Sequence, residues 1–396
     1  MLKIQKKDGS IEAFSSQKIV SAIRKSANRA MYDLSDEQCR RVVDLTLAHL
    51  AEHGGDVAPV ANVHNAVERA LDDVAPDVAK CYRDYRNYKQ DFVHMLDDVY
   101  RKSQAIRYIG DRNNANTDSA LVPTQRSLIY NELSSALYKK FFLNREEREA
   151  MKDGYIYIHD RSARLDTMNC CLFDMANVLT GGFEMGNVWY NEPKTLDVAF
   201  DVISDVAISA AACQYGGFTI PEVDKILAPY AEKSYQKYFE EYTEIAVYNN
   251  LGDHEDVLTA ADEYAVKKVQ RDMEQGFQSW EYRFNTVGSS RGDYPFIAVS
   301  FGLDNSRFGR MASMTCMNVR AGGQGAAGHK KPVLFPKLTF LYDEELHGEG
   351  KPMEDVFECG VDCSTKAMYP DFLSLTGEGY IPSMYKKYGR VVSLMG

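Results

Sequence analysis

Long apolar runs are missing from this chain of 396 residues. No stretch reaches the roughly 18 residues that a membrane-spanning helix needs, which excludes a helical membrane protein. The apolar core of a secretory signal is missing too, because Met1-Leu2-Lys3-Ile4-Gln5-Lys6-Lys7 leads straight into polar sequence, and a cytoplasmic location is expected. Positive charge is short, with 46 Lys and Arg against 57 Asp and Glu and a net charge of −11. Long-range attraction to nucleic acid or an anionic membrane is thereby disfavoured, so neither is an expected partner, and an anionic ligand must meet a local basic cluster. The cysteines, at 39, 81, 170, 171, 213, 316, 359 and 363, include no Cys-x-x-Cys pair, and reduced thiols are expected rather than disulfides. Cys359 and Cys363 lie four apart but lack histidine partners nearby, so no metal site is expected. Repeats and low-complexity tracts are absent, and the length suggests about two or three domains.

What is present begins with alternation. Leu2 and Ile4, then Ile11 and Phe14 beyond Asp8-Gly9, predict a β-hairpin. After Ser15-Ser16, either of which can cap a helix, Ile19, Val20, Ile23, Ala27 and Met31 share a helical face. Further helices are predicted over Cys39 to His53, Val60 to Val74 and Val78 to Tyr100. The stretch from Asp111 to Thr124 is polar, turn-rich and nearly free of periodicity, as a linker or flap would be. Beyond it, short apolar runs (Tyr155 to Ile158, Phe296 to Phe301, Pro336 to Leu341) alternate with long helical stretches, including Leu196 to Cys213 and Val223 to Tyr248. That order predicts an α/β domain.

A hairpin carrying Lys6 and Lys7, followed by a helix bearing Lys18, can gather ammonium groups around a polyphosphate. A basic pair beside a turn is by itself an ordinary solvated surface. The string Ile4-Gln5-Lys6-Lys7-Asp8-Gly9 with Glu12, Phe14, Lys18-Ile19 and Ala22-Ile23, however, resembles the ATP-cone motif. The resemblance implies that Lys6, Lys7 and Lys18 contact phosphates and Glu12 the nucleotide. His64 and Lys89 would close the site, with ATP or dATP as allosteric effector, together with Mg2+. Lys7 stands where that family commonly has arginine, and Ser15 where some members have asparagine.

Further blocks follow in order: Val122-Pro123-Thr124-Gln125-Arg126, His159-Asp160 with Met168-Asn169-Cys170, Gly182 to Asn187, Tyr215-Gly216-Gly217, Glu281-Tyr282 with Asn285-Thr286, Phe335-Pro336-Lys337-Leu338 and Met368-Tyr369-Pro370-Asp371. As an ordered set they resemble the anaerobic (class III, glycyl-radical) ribonucleoside-triphosphate reductases. The implied architecture is α/β. A mainly helical ATP-cone, a β-hairpin plus about four helices, occupies 1–95, a linker and flap 96–135, and part of a ten-stranded α/β barrel of the glycyl-radical type 136–396.

The resemblance implies an enzyme that makes deoxyribonucleotides by thiyl and glycyl radical chemistry. In it Cys170 matches a cysteine on the first barrel strand that faces the substrate. Sulfur suits the role because an S–H bond is similar in strength to a ribose C–H bond, so a thiol can donate hydrogen to a radical at C2′. Without the flanking blocks, Cys170 and Cys171 read as two buried small apolar residues; with them Cys170 takes the role and Cys171 packs. His159-Asp160 either orients substrate or ends a strand.

The implied partners are a ribonucleoside triphosphate substrate, deoxynucleotide specificity effectors, formate or a thiol as reductant, a radical-SAM iron–sulfur activating protein, and a second copy in a homodimer or larger nucleotide-dependent oligomer. The chain stops at Met395-Gly396, where the resemblance expects the thiyl-forming cysteine next, and lacks the glycyl-radical motif and Zn2+ site expected further on. As written it is expected to bind nucleotides without turning over. The competing readings are a nucleotide-sensing module without catalysis and a non-reductase glycyl-radical enzyme. A zinc-ribbon repressor is disfavoured by the lack of cysteines before the cone, and the lyase type by the cone and Asn169-Cys170.

Overall fold

The computed structural model describes residues 2–52, 54–109, 120–164, 168, 170–214, 216–286 and 292–389, and the chain divides into two units, 1–101 and 102–396. Among the described residues no helix is long and apolar enough to cross a membrane.

The first unit opens with β1 (Lys3–Gln5) and β2 (Ile11–Ala13), antiparallel about a turn in which Gly9 takes φ +82°. Such a left-handed backbone favours glycine. Asp8 Oδ1 accepts from both the backbone N–H and the hydroxyl of Ser10 and fixes the turn. Helices α1 (Ser16–Arg29) and α2 (Asp36–Ala51) follow, the second started by a reciprocal Ser35–Gln38 capping box. Next come β3 (Val57–Pro59), parallel to β1 on its other edge, α3 (Val60–Val74) and α4 (Pro76–Ile109). Ile23, Val42, Leu71, Val78 and Ala79 form a sealed core between the helices.

The helices match the periodicity within a few residues, but β3 has no sequence signal. Helix α4 continues past residue 95 to Ile109, and α5 (Val122–Phe141) starts inside the turn-rich stretch. The described parts of 96–135 are therefore mostly helical, while most of the Asn-rich segment lies outside the described residues. Pro123 sits in the first turn of α5, where its missing N–H costs nothing.

The second unit continues with α6 (Arg145–Lys152), β4 (Cys171–Leu172), α7 (Met175–Leu179), the hairpin β5 (Phe183–Met185) and β6 (Val188–Tyr190), α8 (Leu196–Ala212) and β7 (Phe218–Ile220). Then come α9 (Val223–Tyr248), α10 (His254–Phe284), β8 (Ile297–Phe301), α11 (Arg307–Gly322), β9 (Lys337–Tyr342), α12 (Glu344–His347), α13 (Glu354–Ala367), β10 (Asp371–Ser374) and α14 (Tyr380–Tyr388). The strands β10, β9, β8, β7 and β4 form one sheet in that order, every neighbouring pair parallel. A parallel sheet with helical crossovers is the α/β arrangement that the alternating pattern predicts.

One run fails as a strand. Tyr155 to Ile158 joins no sheet, Tyr155 and Tyr157 are exposed, and His159-Asp160 therefore closes a turn and not a strand. Alternating aromatic and aliphatic residues suit a strand only when a neighbour supplies the ladder.

The core lies on one face of the parallel sheet. Phe218, Ile297, Val299, Leu338 and Phe340 pack there against helices that contribute Phe200, Phe277, Trp280 and Phe284. Trp280 is fully buried, and its indole N–H donates to the Phe200 carbonyl at 3.0 Å. At the carboxyl ends of the strands the wholly buried Asp224 gathers the N–H groups of Gly302, Leu303 and Asp304 on one oxygen, at 2.9, 2.9 and 3.0 Å. His347, assigned no role from sequence, is buried there with Nε2 2.7 Å from the Gly302 carbonyl. These bonds fix the turn after β8.

Candidate functional site

In the first unit the hairpin presents Lys6 and Lys7 at its turn, and α1 brings Lys18 beside them. Glu12 on β2 joins two of these cations, with Lys6 Nζ and Lys18 Nζ each 2.8 Å from its carboxylate. Hydrogen bonds from Lys18 and Lys6 hold the Glu12 carboxyl below its usual range, and the bond to Glu12 raises Lys6. All three side chains are solvent-accessible, so the bridge contributes little to stability. Its effect is to hold two ammonium groups close enough to share one anion.

His64 on α3 lies 2.7 Å through Nδ1 from the Tyr82 hydroxyl on α4. Burial, and then the charges of Arg86, Lys7 and Lys89, keep its pKa below the ordinary value. Lys7 from the hairpin and Lys89 from α4 thus both act on the imidazole through their charge. Burial pushes the Tyr82 phenol up to about 12, so it stays protonated. Sequence reasoning missed Tyr82 and Arg86. The latter was findable, since Arg83, Arg86 and Lys89 recur at intervals of three on one helix. Arg86 is anchored by Asn65 Oδ1 at 2.7 Å.

In the second unit Cys170 immediately precedes β4 and is exposed, whereas Cys171 packs partly against the core. Successive strand residues face opposite ways, which separates the two sulfurs. The Gly217 N–H donates to Cys170 Sγ at 3.3 Å, and the Gly217 carbonyl accepts from the Cys171 N–H at 3.0 Å. Gln214 donates to Cys171 Sγ at 2.7 Å. Asn169 and Tyr215, named with these blocks, lie outside the described residues, as do residues 390–396.

The parallel register explains why such distant blocks recur together. Cys170, Gly217, Phe335-Pro336 and Tyr369-Pro370 all stand just before a strand of the same sheet, at its amino end. A buried clamp secures that end. Arg320 on α11 pairs with Glu281 on α10 at 2.6 Å, both nearly inaccessible, and donates to the Pro336 carbonyl at 2.7 Å. Gln324 donates to the other Glu281 oxygen at 2.5 Å. Asn285 donates to the Phe335 carbonyl at 2.6 Å and accepts from the Leu334 and Phe335 N–H groups. Arg320 was not legible, because nothing local marks a buried arginine.

His159 Nδ1 lies 2.5 Å from its neighbour Asp160, on an exposed turn. Cys363 donates to the Met317 carbonyl at 3.2 Å and is pushed up to about 11 by burial, which makes it a poor metal ligand. Among the described residues no group of three His, Cys, Asp or Glu side chains gathers as metal ligands.

Comparison with known proteins gives two family matches, the ATP cone domain over residues 2–91 and the anaerobic ribonucleoside-triphosphate reductase over residues 113–396. The reductase of that name from Haemophilus influenzae is 30% identical over 379 residues, 93% of this chain and 51% of its own length. That from Escherichia coli is 30% identical over 94% of this chain and 51% of its own length. That from phage T4 is 33% identical over 66% of this chain and 41% of its own. The chain spans about half the length of the curated bacterial relatives it matches. The solved anaerobic ribonucleotide reductase of Thermotoga maritima in complex with dATP and CTP aligns at a TM-score of 0.42 and 13% identity, over 73% of this chain and 49% of that one, too distant a likeness to carry geometry across.

Proposed function

The chain belongs to the anaerobic ribonucleoside-triphosphate reductase family, and we propose that it supplies such an enzyme with its nucleotide sensor and with half of its substrate site. In this reading the cone takes ATP or dATP with Mg2+, the phosphates meeting Lys6, Lys7, Lys18 and Lys89 beside His64. Glu12 exchanges its lysine partners for nucleotide contacts. Each effector shifts activity only through unequal affinity for active and inactive states.

Cys170 holds its S–H against the ribose and donates hydrogen at C2′ during reduction to the 2′-deoxy product. A glycyl radical and a Zn2+ site would belong to the other half of a full-length reductase and would supply, respectively, the radical and a structural anchor. Formate or a thiol as reductant, a radical-SAM activating protein, deoxynucleotide specificity effectors, a homodimer and a cytoplasmic setting complete the proposal.

The observation that carries this reading is the exposed sulfur of Cys170 at the amino end of β4, with the Gly217 N–H aimed at it. Alkylation followed by mass spectrometry tests it on the chain as it stands. Iodoacetamide is expected to modify Cys170 well before the buried Cys316 and Cys363, and CTP is expected to protect it. Equal labelling of Cys170 with and without CTP would remove the substrate assignment.

A further inference from the structure

Resting on that assignment of Cys170, we propose that Lys337 is the residue that receives the substrate's phosphate arm, and that the buried clamp around Arg320 exists to set its position. The sheet register makes the case. Leu338, Val299 and Phe218 point into the helix-packed core, so their in-register alternates Lys337, Ala298 and Thr219 occupy the opposite face, the one that also carries Cys170.

Lys337 is the cation at the start of β9 on that face, and its side chain is only partly buried. Its ammonium does not run toward the carboxyl end of the sheet. It lies 4.6 Å over the ring of Phe296, the residue just before β8. Phe296 accepts the Phe218 N–H at 2.9 Å, so the ladder that contains Gly217 and Cys170 extends directly to it. Two strand spacings, about 10 Å, therefore separate the backbone of Phe296 from that of Cys170 along the amino edge. A ribose seated on Cys170 extends its phosphates over such a span.

Lys337 forms no ion pair with a carboxylate among the described residues. An ammonium held on an aromatic ring retains N–H groups for an anion. The clamp adds a second, independent observation. Arg320 and Asn285 together bind the backbone of residues 334–336, immediately before Lys337, and Glu281 and Gln324 hold Arg320 and each other in a buried network. Breaking such a network is costly. What it determines is where β9 begins and therefore where Lys337 stands.

The test measures the CTP concentration that half-protects Cys170 from alkylation, in the Lys6→Ala, Lys18→Ala background so that the cone is silent. Lys337→Gln is expected to raise it by about ten-fold or more, Lys337→Arg to keep most of the wild-type affinity, and protection by cytidine, which has no phosphate, to stay unchanged. Unchanged CTP protection in Lys337→Gln, with wild type protected, overturns the role of Lys337 alone. An equal loss for CTP and cytidine also overturns it, since that pattern marks a structural residue. Failure of CTP to protect the wild-type chain overturns the underlying assignment of Cys170 as well.

Discussion

Protonation of His64 governs how the amino-terminal cluster answers to pH. Its pKa is lowered from 6.5, first by burial and then by Arg86, Lys7 and Lys89. The folded value lies below the unfolded one, so just under pH 6.5 the unfolded chain binds more protons. The stability held by neutral His64 is complete above the unfolded value and is lost as pH falls through the folded one. The first unit should therefore melt at progressively lower temperature on acidification below that value, and His64→Gln should flatten the dependence. A triphosphate among Lys7 and Lys89 would screen their charge and ease protonation, so saturating ATP should also flatten it. Thermal melts from pH 7.5 to 5.5 (about one unit either side of the histidine range) check both. An acid sensitivity that survives His64→Gln unchanged would contradict this account.

Helix α10 meets α8 through a missing side chain. A Cβ on Gly276 would lie 2.2 Å from the ring of Phe200, which is 2% exposed and stacks edge-on against Phe277 and Trp280. Alanine gains about 1 kcal/mol in helix propensity over glycine, but overpacking a sealed aromatic cluster costs about 1–3 kcal/mol and helix displacement adds to it. The difference of those terms is about 0–2 kcal/mol before helix displacement is added, so Gly276→Ala should destabilise the second unit by up to roughly 2 kcal/mol in urea denaturation. A stabilised variant would show that the helices separate freely. The same elements show what was legible. The residues of α3 and α9 could be read from helical spacing because each helix buries one stripe. The strand β7 could not, since three consecutive buried residues carry no period. Tyr155 to Ile158 misled because the pattern was present without a neighbouring strand. In the candidate nucleotide site, the grouping of Lys6, Glu12 and Lys18 was legible because they lie close in sequence. Arg320, and the seat of Lys337 on Phe296, arise only when distant segments fold together.

At the scale of the molecule, two compact units carry two chemistries, a basic cluster that suits a polyphosphate and a parallel sheet with an exposed sulfur at its amino end. Each holds its own core, so each should respond to its own ligand. Ligand that binds only the folded state at about a hundred times its dissociation constant adds about 2.7 kcal/mol, a shift of many degrees for a unit of roughly 100 residues. Differential scanning calorimetry of the whole chain with ATP, beside the Lys6→Ala, Lys18→Ala variant, decides whether the amino-terminal lysines hold a triphosphate. ATP should raise the transition of residues 1–101 in the wild-type chain and leave the double variant where it was. An equal rise in both proteins, or none in either, would contradict it.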